Sequence, residues 1–595
     1  MAPDKAPRLV FADEASAPKT LNLRARGDIP IPMVAREQDL RTYCTLELSS
    51  EDIVSVASDS AALMADYAQR LGPLMPSSAD DLPEFWSCFG EHLRSWAVAP
   101  LLANALLARR AGQVHSPRHA LVMEDPRLPT WWLCRQQIAE AVAAALPDCP
   151  LTLRPGRTLR AARRKVSPSL AFGIGQWQLR REYRRWGNVR SCFPQPAPAD
   201  VLFLPVGDTC VPIVDRLARS LAPMGLRSAA LLSDPSNLGM EQRAREPVPY
   251  QFLAHFHRPA DAGGLRPVCA ALAAEASGSD DPLHAGLALR LLIALSRDGQ
   301  RLLADREAAR HVLDAYRPRV IVAFHLYWYR LAPIVLAARV RGVPVLYVQH
   351  GVYLAQDECI RPLPYDQYFV FGQAAADTLS AKPLAGPVIP VGHCLYDDLS
   401  KVPARSAPGP RSRKVLVATQ PDETRVSDVR SSRWWLRGVA EACHQLGARL
   451  IIKLHPRETD SSHYEALRSR WPDAVAVVKH SEASLPALLA DADVLVTRDS
   501  TVVFEGNLLG VPVITVNLTG QRDRFPFAAD GGAFGVYDYE SILPVLADVL
   551  TSGAPSLTRT RPAFIARHLG PCDGEATQRI VQAIADAASS SPVTR

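Results

Sequence analysis

From Asp200 onward, short apolar runs alternate with helix-length segments, and the series breaks once, at residues 400–413, before starting afresh. Residues 201–205, 228–232, 320–324, 344–348, 368–371 and 388–391 read as strands of the first series. Residues 415–419, 450–454, 475–478, 494–497 and 513–516 read as strands of the second. Helices are predicted at 211–221, across 265–316 and at 332–341, then at 434–446, 485–489, 501–509 and 575–587. Strands joined through helices need crossovers, and right-handed crossovers build parallel sheets. The break itself, rich in Pro, Ser and Arg, has the composition of a linker. Two Rossmann-like α/β domains on such a hinge would face a cleft lined by two sets of strand carboxyl ends.

The 595 residues exceed what one core supports, so about two to four domains are expected. The divisions predicted are a mainly helical N-terminal region with a disordered start over 1–115, a first Rossmann-like domain over 116–399, the linker, and a second Rossmann-like domain over 414–595. Within the first division, residues 1–35 are polar and Pro-rich, while Ile53, Val54, Val56 and Ala57, then Leu101, Leu102, Ala105, Leu106 and Leu107, recur at helical spacing. A short strand at 119–123 and a helix at 132–146 follow. The 11 cysteines stand singly, without a C-x-x-C pair, which fits reduced thiols in a cytoplasmic protein and excludes a disulfide framework. No apolar h-region follows the N-terminus, and no run nears the ~20 residues that span a bilayer.

A net charge of +6 is modest for this length, and no RNP, KH or zinc-knuckle pattern accompanies it, so no nucleic-acid partner is expected. The charge is unevenly spread. Between Arg154 and Arg190 basic residues crowd together, interleaved with Trp177, Tyr183 and Trp186. Such a segment suits peripheral contact with an anionic membrane surface or an anionic lipid-linked acceptor. It equally suits a solvated basic helix with its aromatics on the core.

Two clusters carry the chemistry of the second series. Lys453, His455 and Pro456 close one strand; Asp499, Ser500 and Thr501 follow another and open a helix that holds Glu505. A helix start with two hydroxyls, free N–H groups and a dipole suits phosphate. His455 can add a proton or hydrogen bond to the same phosphate, and Lys453 a charge. In the first series, Gln349-His350-Gly351 stands just past a strand. A neutral imidazole there can take a proton from an alcohol, with Gly351 expected to let the backbone turn sharply. Asp208, after an earlier strand, is the alternative base. No D-x-D motif ends a strand in either series, and no metal or cofactor is expected.

These residues resemble the GT-B glycosyltransferases of bacterial surface and capsule polysaccharide synthesis, similar to CDP-glycerol glycerophosphotransferases, bacterial sialyltransferases and capsule Kdo transferases. The resemblance spans about residues 200–590. It is carried by His455-Pro456, Ser500-Thr501, Glu505, Gln349-His350-Gly351, Phe371-Gly372, the segment 391–397 (with Cys394 where a proline is usual) and the closing loop 524–537. It implies a GT-B fold and transfer of a sugar, or a polyol phosphate, from a CMP- or CDP-linked donor. The implied acceptor is lipid-linked or a growing surface polysaccharide, at the inner face of the cytoplasmic membrane. It implies donor phosphate on Lys453, His455, Pro456, Ser500 and Thr501, ribose on Glu505, and His350 (or Asp208) as base. Two rivals remain at this point: a UDP-sugar 2-epimerase, which shares the fold, and an inactive GT-B domain that binds nucleotide as an assembly partner.

Overall fold

The computed structural model describes, from residue 195 on, all but 207–209, 233–247, 258–262, 328, 353–361, 401–412, 421–425, 456–457, 459–460, 480–481, 499, 519–522, 524 and 591–595; before 195 it describes chiefly 8–12, 29–32, 50–71, 98–115, 119–123, 144–149 and 151–153. Three parallel sheets result. The N-terminal region contributes β1 (Arg8–Ala12), β2 (Ile29–Pro32), β3 (His119–Met123) and β4 (Leu151–Leu153), in the order β2-β1-β3-β4. Two of these strands fall where composition predicts a loosely ordered start, and the expected strand at 119–123 joins them rather than the first Rossmann-like sheet. Helices expected within 50–112 are there too, while the helix expected at 132–146 lies almost wholly outside the described residues. Ser50–Leu71 and Ala99–His115 bury Tyr67, Leu71 and Leu101 against Leu272, Leu287 and Leu291.

The first large sheet holds β5 (Val201–Leu204), β6 (Ser228–Leu232), β7 (Tyr250–Phe252), β8 (Val320–Ala323), β9 (Val345–Val348), β10 (Gln367–Val370) and β11 (Val388–Pro390). Its order is β11-β10-β9-β8-β5-β6-β7, all pairs parallel. The second holds β12 (Lys414–Ala418), β13 (Arg449–Lys453), β14 (Val475–Val478), β15 (Val494–Thr497), β16 (Val513–Val516) and β17 (Phe534–Val536), in the order β14-β13-β12-β15-β16-β17. Strands such as VLFL of β5, VIVA of β8 and VLVT of β15 are buried along their whole length. That is why they read as unbroken apolar runs: helices cover both faces. In each sheet the chain lays strands to one side, returns, and continues on the other. The reversal falls between β5 and β8 and between β12 and β15, and the crevice beyond such a switch point is where open α/β sheets bind ligands.

The two domains are bound together by the end of the chain. Helix Pro555–Leu569 buries Leu557, Phe564 and Leu569 in the second domain. After Gly570 the chain crosses, and the final helix, Ala576–Ser590, packs Ile580, Val581 and Ile584 into the first domain's core beside Val214 and Leu217. The predicted final helix exists, but it belongs by packing to the first domain. Its amino end is capped from afar: Asp397 accepts hydrogen bonds from the Ala576 and Thr577 N–H groups, at 3.0 and 2.8 Å. At the crossing, a Cβ on Gly372 would lie 2.6 Å from the Arg567 carbonyl oxygen, so only glycine lets the two backbones meet. The chain thus forms two Rossmann-like domains joined by its own C-terminal segment. No helix among the described residues is long and apolar enough to cross a membrane.

Candidate functional site

The first domain gathers histidines beyond the carboxyl ends of its strands. His325 follows β8, His350 follows β9, and His393 follows β11. His350 is set in place by its neighbour: Gln349, nearly fully buried, donates to the Gly351 carbonyl at 2.8 Å and accepts from the Phe371 N–H at 2.7 Å. This side-chain staple does the work that the sequence assigns to Gly351. That glycine has no left-handed φ, and a Cβ on it would meet open space. The His350 imidazole hydrogen-bonds through Nδ1 to the Phe324 carbonyl. A carbonyl only accepts, so Nδ1 carries the proton and Nε2 is left with its lone pair. Burial holds the His350 pKa below the usual histidine value, against the pull of that hydrogen bond.

His325 lies with its ring centroid 5.9 Å from that of His350, and Tyr365 donates to the His325 carbonyl at 2.6 Å. His393 accepts the Leu395 N–H on Nδ1 at 3.2 Å, which puts its proton on Nε2. Its ring stacks on Phe371 and on Tyr396, with centroids 4.2 Å apart in each case. Burial, reinforced by the neighbouring His350, pushes both His325 and His393 down to about 3, so both are neutral at physiological pH. Beneath the His325 loop, Arg330 and His257 clasp Asp305 at 2.9 and 2.6 Å in a fully buried cluster. The result is a set of half-buried, neutral imidazoles at the strand ends, with His350 Nε2 holding a lone pair.

The second domain presents a different kind of site. Thr419 and Gln420 follow β12, His455 follows β13, and Arg498 and Ser500 follow β15. Glu458 ties the first two loops together: it accepts from the His455 N–H at 2.8 Å and takes the hydroxyls of Thr419 and Tyr464. A shallow crevice lies alongside, lined by Thr419, Gln420, His463, Tyr464 and Arg498. Ser500 Oγ accepts the Val502 N–H at 3.4 Å, and Thr501 is exposed at the start of helix Val502–Leu508. His455 and Ser500 flank β12 from either side, so with strands ~4.8 Å apart their backbones are separated by roughly 10 Å. Lys453 is turned elsewhere. Its Nζ is buried on the Lys479 carbonyl at 3.4 Å, on the β14 side of the sheet, and burial lowers its pKa.

Glu505 joins the halves. It sits on helix Val502–Leu508, whose apolar face packs against Tyr396 of the first domain, three residues after His393. Its Oε2 is shut off from solvent with no hydrogen-bond partner. Burial, only partly offset by the hydrogen bonds it receives, raises its pKa to about 7. The structure therefore brings His350 together with His325, and sets His393 between Phe371 and Tyr396. Asp208 and Pro456, with most of the basic segment 154–190 and the linker, lie outside the described residues.

The sequence gives no role to His325, Tyr396 (named only within segment 391–397), Glu458 or Arg498. The first and last stand where a strand ends, which is a usable signal. Glu458 is three residues past His455, the spacing of a local side-chain-to-backbone hydrogen bond. Tyr396 carries no local signal.

No protein-family model matches this sequence, and no curated protein matches it. Solved structures do resemble it in chain path. The crystal structure of MurG from Acinetobacter baumannii is 15% identical, covering 65% of this chain and 99% of its own, with a TM-score of 0.41. A UDP-GlcNAc 2-epimerase from Neisseria meningitidis bound to UDP-GlcNAc is 13% identical, covering 65% and 99%, with a TM-score of 0.43. Apo UGT2 of Phytolacca americana is 13% identical, covering 66% and 100%, with a TM-score of 0.41. At such identities and scores the likeness concerns the path of the chain and says nothing of the reaction.

Proposed function

We propose that this chain is a glycosyltransferase that moves a sugar, or a polyol phosphate, from a CMP- or CDP-linked donor to a lipid-linked or growing surface-polysaccharide acceptor at the cytoplasmic face of the membrane. One observation carries the reading. An imidazole with a fixed tautomer and a free Nε2 stands at one set of strand ends, while a buried carboxyl oxygen without a partner stands at the other. A buried acceptor left unsatisfied is costly unless a ligand completes it, and a ribose hydroxyl is a donor of suitable size for Glu505 Oε2.

The roles follow. Donor phosphate is held by His455 and the Ser500 and Thr501 hydroxyls, with Arg498 near enough along the crevice to add charge. Lys453 contributes to the field around its strand end rather than by direct contact. His350 Nε2 takes the proton of the acceptor hydroxyl as the new bond forms, with Asp208 the alternative base. Fixed donors around the departing nucleotide phosphate stabilise its developing charge without reorganisation. The basic segment 154–190 holds the chain near an anionic, lipid-linked acceptor.

The test is a melting-temperature panel with CMP, CDP, UDP and GDP on wild type and on His455→Ala. A ligand at 100 times its dissociation constant adds about 2.7 kcal/mol. The expected result is a shift with CMP or CDP larger than with UDP or GDP, reduced in the variant. A UDP-selective shift, with epimerised sugar recovered from a UDP-sugar, would replace transfer by epimerisation. No shift with any nucleotide would remove the donor site altogether.

A further inference from the structure

The outer edge of the second sheet carries a side chain that the roles above leave unused. Tyr537 follows β17, the last strand in the sheet order. It is 54% exposed, one of four large, mainly apolar side chains open to solvent among the described residues. It is nevertheless held. Its hydroxyl donates to Asp523 Oδ2 at 2.7 Å, and Asn517 Nδ2 donates to Asp523 Oδ1 at 2.9 Å. The ring lies back across Gly535: a Cβ on that glycine would come within 2.5 Å of the hydroxyl oxygen and 2.7 Å of ring carbons Cε2 and Cζ. A larger residue at 535 would lift the ring off the strand. Burial, together with the Asp523 carboxylate, pushes the Tyr537 pKa up to about 12, so the hydroxyl stays a donor.

The ring's place is as defined as its pose. Val536 points into the core on one face of the sheet, so Gly535 and the ring upon it lie on the other. Helix Val502–Leu508 covers that other face, and Val352, Tyr396 and Leu399 of the first domain pack against the same cluster. β17 is two strands from β15, so the ends that carry Tyr537 and Ser500 are roughly 10 Å apart. We propose that Tyr537, laid flat on Gly535 and clasped by Asp523 and Asn517, is a stacking platform for a sugar ring of the glycan acceptor. A sugar ring has a face of C–H groups, which stacks on an aromatic face, and a rim of hydroxyls. Each Asp523 oxygen takes one hydrogen bond in the clasp and keeps a lone pair for such a hydroxyl. The same carboxylate repels a phosphate. The inference rests on the transferase reading for the glycan's role as acceptor, while the binding of a sugar is tested apart from it.

The experiment is saturation-transfer NMR on the full chain, without nucleotide, using the methyl glycosides of glucose, galactose and N-acetylglucosamine as probes. At least one glycoside is expected to take up saturation preferentially on the protons of one ring face. Tyr537→Ala should raise its dissociation constant about tenfold. Gly535→Ala should do the same, because it leaves the tyrosine and its clasp residues in the chain but denies the ring its seat. Tyr537 is exposed, so its alanine variant keeps the wild-type melting temperature, and the comparison survives even where Gly535→Ala folds poorly. CMP and CDP should shift the melting of Tyr537→Ala as much as that of wild type. No saturation of any of the three glycosides by wild type, or saturation that Tyr537→Ala leaves unchanged, overturns the platform. A nucleotide-induced melting shift that is lost in Tyr537→Ala assigns the ring to the nucleobase and overturns the sugar. Glycoside binding as expected, with no melting shift of wild type by any nucleotide, leaves the platform standing and removes the donor reading.

Discussion

The two faces of the cleft solve different problems with different physics. On the first domain the candidate groups are half-buried imidazoles packed against aromatic rings, held neutral, with tautomers fixed by backbone carbonyl and N–H partners. On the second they stand on half-exposed strand-end loops, joined by a polar network around Glu458. Dryness suits proton transfer from an alcohol, because a neutral base in a water-poor site keeps its lone pair for the substrate. A polar, hydrogen-bonding rim suits a phosphate, whose charge needs many fixed donors. Under the proposed reading, the half that binds the leaving group and the half that activates the acceptor follow different rules.

The sharpest way to break this division is His350→Ala. Loss of a general base costs roughly 10²–10⁴-fold in rate, and the dry face should show it in turnover while nucleotide affinity stays at the wild-type value. Single-turnover release of nucleotide from the preferred donor measures the first, and calorimetry the second. The acid limb of the wild-type pH–rate profile should also lie below pH ~6.5, since burial depresses the His350 pKa and the lone pair persists to lower pH. A turnover loss under tenfold would transfer the role to Asp208.

Glu505 sits on the seam, and its titration sharpens the contrast between dry and wet. Its folded-state pKa is about 7, against an ordinary value of 4.5. The folded state therefore holds the proton more tightly than the unfolded chain. The resulting stabilisation is fully present below about pH 4.5 and is lost as pH rises through about 7, to an upper limit of about 3 kcal/mol. The groups facing the site, Tyr396 and Cys572, are both pushed upward and stay neutral through that window. Denaturant midpoints at pH 5 and pH 8 should differ more for wild type than for Glu505→Gln. Equal pH dependence in the two would mean that the seam is as wet as the donor rim.

Much of the fold was legible because its central strands are buried on both faces and so write continuous apolar runs. β7 and β17 escaped, as did β1, β2 and β4; β17 carries a glycine at its centre, which breaks its apolar run. Ile580 and Ile584 announce a buried helical face, but nothing in an amphipathic pattern says which core will receive it. At the site, His350 and Glu505 were readable through motif and position. The Gln349 staple, Glu458 and Tyr396 were not, since each acts through a partner that only the folded chain brings near. Gly351 reads as a residue needed for conformational freedom, yet its position demands none: it has no left-handed φ and open space where a Cβ would stand.

The smallest expected effect tests whether the donor rim is organised as a unit. Glu458 accepts the His455 N–H and the Thr419 hydroxyl on Oε2 and the Tyr464 hydroxyl on Oε1. Glutamine keeps the length but replaces one of these acceptors with an NH2 group, which can satisfy none of the three donors. The loop carrying His455 should then lose definition, at a net cost of about 1 kcal/mol per neutral hydrogen bond. Nucleotide affinity should fall about three- to tenfold in Glu458→Gln, with the single-turnover rate at saturating donor close to wild type. Tyr464→Phe, which removes one donor and leaves the carboxylate to the other two, should have a milder effect in the same direction. If Glu458→Gln instead slowed the saturated rate and spared affinity, the polar network would be acting on the reacting atoms, and the separation of a binding face from an activating face would not hold.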